Sequence, residues 1–164
     1  WELPYRKDGK TISLIGIDDP SFRSYVGTKN PINQSLITAL KEENTFTILL
    51  SHRPELFDVY VESDVDLVLS GHAHGGQVRI PLIGGIVAPN QGLFPQYDAG
   101  LFAENNTHMI VSRGIGNGTV VPRVNNRPEV IFIELQSAES WYLSTFRKGE
   151  RNVTQGWHIP HLLL

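Results

Sequence analysis

Two continuous apolar runs, residues 45–52 (TFTILLSH) and 65–72 (VDLVLSGH), constrain the fold of this chain more than any other feature. Each has the length of a strand and lacks the alternation of a half-exposed one, which predicts strands buried on both faces. Residues 53–63 (RPELFDVYVES) between them predict a short helix that begins near Pro54. This order predicts an α/β fold with a histidine at the carboxyl end of each strand, where ligand sites gather.

A second helix and three further strands complete the expected core. Asn30 is placed to cap a helix whose first turn holds Pro31, and apolar residues recur at helical spacing to about Glu43. Glycines and prolines break residues 75–100 into loops. The further strands are predicted at residues 11–16, 108–114 and 129–135.

The two ends of the chain are less informative. Residues 136–164 fit no clean period and are expected to form a peripheral tail. The chain begins at Trp1 and its only methionine is Met109, so we expect the natural N-terminus to be missing. The longest apolar runs have the length of strands, well short of the roughly 18 residues of a membrane span. Localisation is therefore left open by the residues themselves.

Composition excludes several classes of protein. Hydrophobic residues make up 40% of the 164 and charged residues 19%, which is typical of a globular domain. The chain has no cysteine, so disulfides and thiolate metal sites are excluded and a transition-metal site must use His, Asp, Glu or Asn. The net charge of -3 argues against a nucleic-acid partner, because such partners select a basic surface.

The histidines of the GHAHGGQ string, His72 and His74, are the main candidates for metal ligands. In an extended segment an H-x-H pair would point both rings the same way, and the flanking glycines permit close approach of a ligand. His52 ends the neighbouring strand, so three imidazoles are expected to converge on one ion that accepts nitrogen ligands. The other histidines, by contrast, are expected to be packed, capping or solvated.

Competing H-x-H and hydrolase motifs are absent from the sequence. The metallo-β-lactamase pattern requires an aspartate and a histidine where this chain has Gly76 and Gln77. An amidohydrolase barrel needs about 250 residues. There is no H-E-x-x-H, no G-x-S-x-G elbow and no P-loop.

The strings SHRPE and VDLVLSGHAHGGQVRIP resemble the calcineurin-like metallophosphoesterase superfamily, and SRGIG and NNRPEVIFIEL extend the match from about Thr11 to Leu135. The likeness is strongest to a bacterial branch whose members are often membrane-associated or exported. The resemblance implies a four-layer α/β/β/α sandwich of which this chain is the C-terminal half. Residues 1–135 would then be the C-terminal portion of the phosphoesterase domain and residues 136–164 the tail.

The resemblance also implies a centre of two divalent ions, manganese, zinc or iron. Carried over to this sequence, His52 and His72 match ligands of the second ion and His74 matches a ligand of the first. The family's D-x-H, G-D-x-x-D and G-N-H-[E/D] blocks do not occur here. The acid/base histidine and the carboxylate ligands would therefore belong to a missing N-terminal half. We expect this chain alone to bind at most one metal ion weakly and to hydrolyse phosphoesters poorly.

Five further polar residues lie in or beside the motifs and are candidates for contact with substrate, while Asp18 and Asp19 are interpreted as structural loop residues. Each candidate has an equally ordinary structural role in loop hydrogen bonding, strand capping or ion pairing. The five are Arg53, Gln77, Arg79, Arg113 and Asn117.

Three functions remain open from the sequence. The first is a phosphoesterase that acts on a phosphodiester, a phosphomonoester or a pyrophosphate, with a small-molecule or lipid substrate. The second is a non-catalytic metal-binding or interaction module derived from the same fold. The third is a mononuclear zinc hydrolase complete with three histidines. In the first case the missing half or a second copy of the chain is the expected partner, since buried strands would otherwise lose cover.

Overall fold

The computed structural model describes residues 1–7, 9–19, 21, 32–117 and 121–135. A six-stranded sheet with helices on one face dominates this part of the chain, and two small hairpins follow the fourth strand. In chain order the elements are β1 (Glu2–Lys7), β2 (Lys10–Gly16), α1 (Gln34–Leu40), β3 (Phe46–Leu50), a 3₁₀ turn (Pro54–Leu56), α2 (Phe57–Glu62), β4 (Leu67–Ser70), a 3₁₀ turn (His74–Gly76), β5 (Arg79–Ile80), β6 (Gly84–Gly85), β7 (Val87–Ala88), β8 (Gly92–Leu93), β9 (Gly100–Glu104) and β10 (Thr107–Val111).

The large sheet has the strand order β1-β2-β3-β4-β10-β9. Its four central strands are parallel, with Ile15 opposite Leu49 and Leu49 opposite Val68, while β1 and β9 pair antiparallel at the two edges. This mixed sheet with few helices confirms the α/β class. Because β3 and β4 run the same way, the loops that follow them meet at one edge of the sheet.

The core lies between one face of this sheet and the helices. Leu49, Val68 and Met109 are fully buried and pack with Ile37 of α1 and Tyr60 of α2. In β4 the neighbouring Leu67 is buried as well, as predicted for this strand, whereas Leu49 in β3 alternates with half-buried residues. Strand β3 is thus covered on one face only by the described residues. The prediction that it is buried on both faces is wrong for this part of the chain, because the helices α1 and α2 cover one face.

The opposite face of the sheet is apolar and only partly covered by the described residues. Leu14 and Ile48 stand side by side on it and are both half-buried. On the edge strand β1 the side chains of Leu3 and Tyr5 continue this face and are 57% and 58% exposed. We call this surface, defined by Leu3, Tyr5, Leu14 and Ile48, the open sheet face. These apolar side chains lie next to one another and form a contiguous patch, unlike single exposed apolar residues.

The strand predicted at residues 129–135 is not formed. The segment has no regular secondary structure, and Val130 and Phe132 are 71% and 83% exposed. The backbone N–H of Glu129 donates to the carbonyl of Gly114 at 3.0 Å, but no strand ladder among the described residues includes this segment. Its alternating pattern is partly kept in the burial, since Ile131 and Ile133 are half-buried while Phe132 between them is exposed.

Helix α1 begins later and ends earlier than predicted. Its N-cap is Asn33, whose side chain accepts a hydrogen bond from the backbone N–H of Leu36 at 2.9 Å, and the helix ends at Leu40. The predicted cap at Asn30 and Pro31 lies outside the described residues, as does the predicted tail 136–164. The second predicted helix is confirmed as the turn at Pro54 and α2.

Candidate metal centre

The loops after β3 and β4 bring two of the three predicted histidines together. His52 follows β3 by two residues and His72 follows β4 by two residues, so the parallel pairing places both at the same sheet edge. The rings face each other with centroids 4.4 Å apart and an interplanar angle of 57°. Nε2 of His52 and Nδ1 of His72 are separated by 2.9 Å, a hydrogen-bonding distance.

Buried hydrogen bonds between the β3 loop and α2 hold His52 in place. The hydroxyl of Tyr60 donates to the backbone carbonyl of Arg53 at 2.7 Å and lies 2.6 Å from the hydroxyl of Ser51. Burial raises the pKa of Tyr60, so this hydroxyl stays protonated at any physiological pH. The residues on both sides of His52 are thereby tied to the core.

The H-x-H segment is a tight turn and not an extended stretch, which corrects the expectation of two parallel rings. His72 and His74 have φ values of 63° and 48°, in the left-handed region, and Ala73 between them is helical. The turn is closed by the N–H of Ala73 donating to the carbonyl of Gly71 at 2.6 Å. Left-handed backbone costs a non-glycine residue about 1–2 kcal/mol, and such strain is concentrated at functional sites.

The glycine pair after the histidines is required by close backbone packing. Gly75 and Gly76 have φ values of 65° and 70°. A Cβ on Gly76 would clash with Cα of Gly85 and would lie 2.9 Å from its carbonyl carbon. The backbone of β6 therefore rests directly against the turn, and only glycine permits that approach.

The surroundings of His52 and His74 favour neutral imidazoles. Burial lowers the pKa of His52, and the neighbouring His72 lowers it further. Burial also lowers the pKa of His74, together with the positive charge of Arg123. Because the neutral ring carries the lone pair that binds a metal ion, these shifts suit the residues to act as ligands.

The described residues supply only part of a metal site. No group of three or more His, Cys, Asp or Glu residues within them is arranged to hold a metal ion. The charge of His74 adds to the lowering of the pKa of His52, but of the three histidines only His52 and His72 are in contact. The donor chemistry fits an imidazole-binding ion, whereas a catalytic zinc site has three protein ligands and a two-metal site also uses anionic ones.

Arg53 is the first predicted substrate contact, and its guanidinium is already engaged. Its Nε and one terminal nitrogen donate to the two carboxylate oxygens of Asp19 at 2.7 and 2.9 Å, and the other terminal nitrogen donates to Glu55 at 3.2 Å. The hydroxyl of Ser21 is also a partner. This bidentate pair lowers the pKa of Asp19 to about 2, although burial opposes the shift. A phosphate contact by Arg53 stays a prediction and would compete with these bonds.

Two of the remaining arginines make ion pairs of their own. Arg79 donates to Asp98 at 2.7 Å and to the carbonyl of Gly75 at 2.8 Å, so it fastens the glycine turn. Arg113 is paired with Glu129. Both are partly exposed, and their contact with substrate stays a prediction.

The last two candidates differ in accessibility. Gln77 is 6% exposed, with a backbone φ of 50°, and its side-chain oxygen has no hydrogen-bond partner among the residues that the structure describes. Asn117 is exposed. Because the Gln77 amide is buried, it could contact a substrate only if the structure opened locally. Asn117 is already accessible.

Three residues of the site were missed by the sequence reasoning. The side-chain oxygen of Asn90 lies 2.9 Å from Nε2 of His72. Asn126 donates to the carbonyls of His74 at 2.7 Å and Gln77 at 3.0 Å. Arg123 donates to the carbonyl of Gly116 and is close enough to depress the pKa of His74. Arg123 and Asn126 lie far along the chain from the histidines and carry no local signal, whereas Asn90 is an asparagine in a turn.

Comparison with known proteins gives several relatives that cover most of this chain. It is 32% identical over 130 residues to "Uncharacterized metallophosphoesterase YkuE" of Bacillus subtilis (strain 168), a match spanning 79% of this chain and 42% of the relative. It is 40% identical over 94 residues to "Phosphodiesterase YaeI" of Escherichia coli (strain K12), spanning 57% of this chain and 34% of the relative.

A bovine protein also matches, at 30% identity over 139 residues, and is named "Transmembrane protein with metallophosphoesterase domain"; the match spans 82% of this chain and 30% of the relative. The chain thus spans less than half the length of these relatives. No family model and no solved structure matches. The chain is therefore similar to proteins named metallophosphoesterase or phosphodiesterase over less than half of each relative's length.

Proposed function

We propose that the chain is part of a metal-dependent phosphoesterase, which hydrolyses a phosphodiester, a phosphomonoester or a pyrophosphate. The observation that carries the proposal is the contact of His52 with His72 at the carboxyl edge of the parallel strands, in a chain whose relatives are named for this activity. Neutral imidazoles at such an edge have few structural uses that would justify the strained turn around them.

In this proposal His52 and His72 bind one divalent ion and His74 binds another. Manganese, zinc and iron all accept imidazole nitrogen. When bound, such ions lower the pKa of a water molecule and hold the phosphoryl oxygens during displacement. The chain's own part is to favour neutral rings at His52 and His74 through burial, and to orient the histidines through the left-handed turn and the bonds to neighbouring loops.

The remaining ligands would come from outside this set of residues. Two dications about 3.5–4 Å apart need anionic bridging, and three neutral histidines provide no negative charge. We therefore assign the carboxylate ligands and the acid/base group to an N-terminal half of a four-layer sandwich. Such a half would also cover the open sheet face of Leu3, Tyr5, Leu14 and Ile48. Association of two copies through that face is the alternative.

For the substrate and the cellular location we propose only a broad class. A phosphorylated small molecule or a lipid fits a phosphodiesterase relative and a relative named as transmembrane. Within the described residues, no helix is long and apolar enough to cross a membrane. An extracytoplasmic or membrane-associated setting thus rests on the relatives.

Metal binding and hydrolysis test the proposal separately. The chain is titrated with Mn²⁺ and Zn²⁺, and hydrolysis of bis(p-nitrophenyl) phosphate is followed with and without the longer protein that includes the upstream coding region. We expect weak binding and slow turnover by the chain alone, and robust turnover by the longer protein. His52→Ala and His72→Ala should abolish turnover, whereas His108→Gln, at the amino end of β10, should not.

A module without catalysis is the second candidate, favoured by the lack of a carboxylate in the histidine cluster of the described residues. It predicts metal binding by the longer protein without hydrolysis of any phosphoester. Turnover that survives removal of all three histidines would contradict both candidates, since the activity would then lie elsewhere.

A further inference from the structure

Asn90 occupies a position from which it can decide how His72 presents its lone pair. Its side-chain oxygen is 2.9 Å from Nε2 of His72, while Nδ1 of the same ring faces Nε2 of His52 at 2.9 Å. A carbonyl oxygen only accepts hydrogen bonds, so Nε2 of His72 must be the donor. In the neutral ring Nδ1 is then unprotonated, and its lone pair points towards the other histidine.

The loop that carries Asn90 is held in place without any help from His72. Asn90 lies between β7 and β8, where Ala88 pairs with Gly92 and is buried in the core. The side chain of Gln91 accepts from the backbone N–H of Tyr97 at 2.9 Å and donates to its carbonyl at 3.0 Å. Asn90 itself has a φ of 61°, a conformation that asparagine tolerates better than most residues. The side-chain oxygen of Asn90 is therefore held in position independently of His72.

Apart from its contact with His52, His72 has little else among the described residues to orient its ring. It stands on a strained turn with a φ of 63° and is only half-buried, so rotation about its side-chain bonds would otherwise be open to it. Metal-binding histidines commonly donate their second N–H to a neighbouring acceptor, which fixes both tautomer and ring direction. The Asn90 oxygen is such an acceptor for the Nε2–H of His72.

We propose that Asn90 is a positioning residue that keeps the proton of His72 on Nε2 and aims its Nδ1 lone pair at the metal ion. This inference rests on the proposed function, because it gives the aligned lone pair a metal to bind. It assigns Asn90 no contact with substrate, and its effect is transmitted wholly through the imidazole of His72.

The tautomer of His72 is the first readout, measured on the metal-free chain labelled with ¹⁵N by long-range ¹H–¹⁵N correlation at pH 8. We expect the parent to carry the proton on Nε2, and Asn90→Ala to give a mixture of the two tautomers. Asn90→Asp keeps an acceptor at the same place and should restore the Nε2–H form. Asn105→Ala is the matched control, since Asn105 has a similar φ of 51° in the β9–β10 turn at the opposite sheet edge. A parent protonated on Nδ1, or an unchanged tautomer in Asn90→Ala, overturns the inference.

Metal affinity is the second readout, taken with Co²⁺ by its visible absorption and with Zn²⁺ by competition. We expect Asn90→Ala to weaken binding about 10–100-fold, the range for loss of an orienting partner, with recovery in Asn90→Asp. Unaltered affinity in Asn90→Ala beside normal binding by the parent overturns the role of Asn90 alone. Failure of the longer protein, which includes the upstream coding region, to bind either ion overturns the proposed function and, with it, the metal role of Asn90.

Discussion

Substitution of Gly76 by alanine should destabilise the protein far more than the same change at Gly92. The two glycines have almost the same backbone conformation, with φ values of 70° and 72°. A left-handed residue costs alanine about 1–2 kcal/mol relative to glycine, and both variants carry this cost. At Gly92 no atom lies within 4 Å of the new Cβ, so nothing is added.

At Gly76 the new methyl group would meet backbone and not a flexible side chain. The carbonyl carbon of Gly85 would be 2.9 Å away and the amide nitrogen of Ile86 3.1 Å away. The N–H of Ile86 also donates to the carbonyl of Gly76 at 3.1 Å, so the two segments cannot separate without loss of that bond. Overpacking of this kind costs about 1–3 kcal/mol beyond the conformational term. We expect Gly92→Ala to cost about 1–2 kcal/mol and Gly76→Ala about 2–5 kcal/mol.

Urea unfolding followed by tryptophan fluorescence measures the difference. With a slope of about 1–3 kcal/mol per molar urea, the extra cost at Gly76 should lower the midpoint by about 1 M relative to Gly92→Ala. Equal midpoints for the two variants would refute the reasoning, because they would show that β6 does not rest against the histidine turn. A variant that fails to fold at all at Gly76, beside a folded Gly92→Ala, agrees with it.

Three further outcomes are expected. Asp19→Asn should remove about 1–2 kcal/mol of stability at pH 7, less than the full pKa shift implies because its pair with Arg53 is partly exposed. Since the folded pKa is lowered to about 2 from 3.8, this contribution is present above about pH 4 and is lost as the pH falls towards 2, where parent and variant should unfold at the same urea concentration. Tyr60→Phe should cost about 1 kcal/mol in urea unfolding, because it removes a buried hydroxyl with two partners, while Tyr5→Phe at an exposed site should cost nothing measurable. Sedimentation of the chain alone should show association that increases with concentration and is reduced by Tyr5→Glu on the open sheet face but not by Leu82→Glu, which is fully exposed elsewhere; a strictly monomeric chain would contradict this use of the face.

The central strands were predictable because their signals are local. The apolar runs that became β2, β3, β4 and β10 have the right composition and length whatever their neighbours are. The edge strands β1 and β9 were missed, although turn residues mark both hairpins: Gly9 in the first, and Asn105 in the second. Their strand residues carry too few apolar side chains to stand out, since edge strands are less buried.

The candidate site was predictable only as a set of residue types at strand ends. Parallel pairing of β3 and β4 places the loops after them at one edge, which is why the meeting of His52 and His72 could be anticipated. The turn at His72 could not be anticipated, because non-glycine residues uncommonly adopt a left-handed backbone and no local pattern specifies it there. Asn90 lies 18 residues beyond His72, and no local pattern connects the two.

By itself the sequence determined the α/β class, the order of the central strands and helices, and the histidines available to bind a metal ion. The spacing of apolar residues and the positions of turn residues are patterns over a few neighbouring positions. They can therefore be recognised without knowing which strands are neighbours in the sheet. Tertiary structure decided that Arg53 is committed to Asp19, that residues 129–135 stay outside the ladders, and that Asn90 holds His72. Those outcomes depend on groups that are distant in sequence but close in space. Burial and hydrogen bonding decide which of several possible partners each polar group contacts, and composition alone does not distinguish these partners.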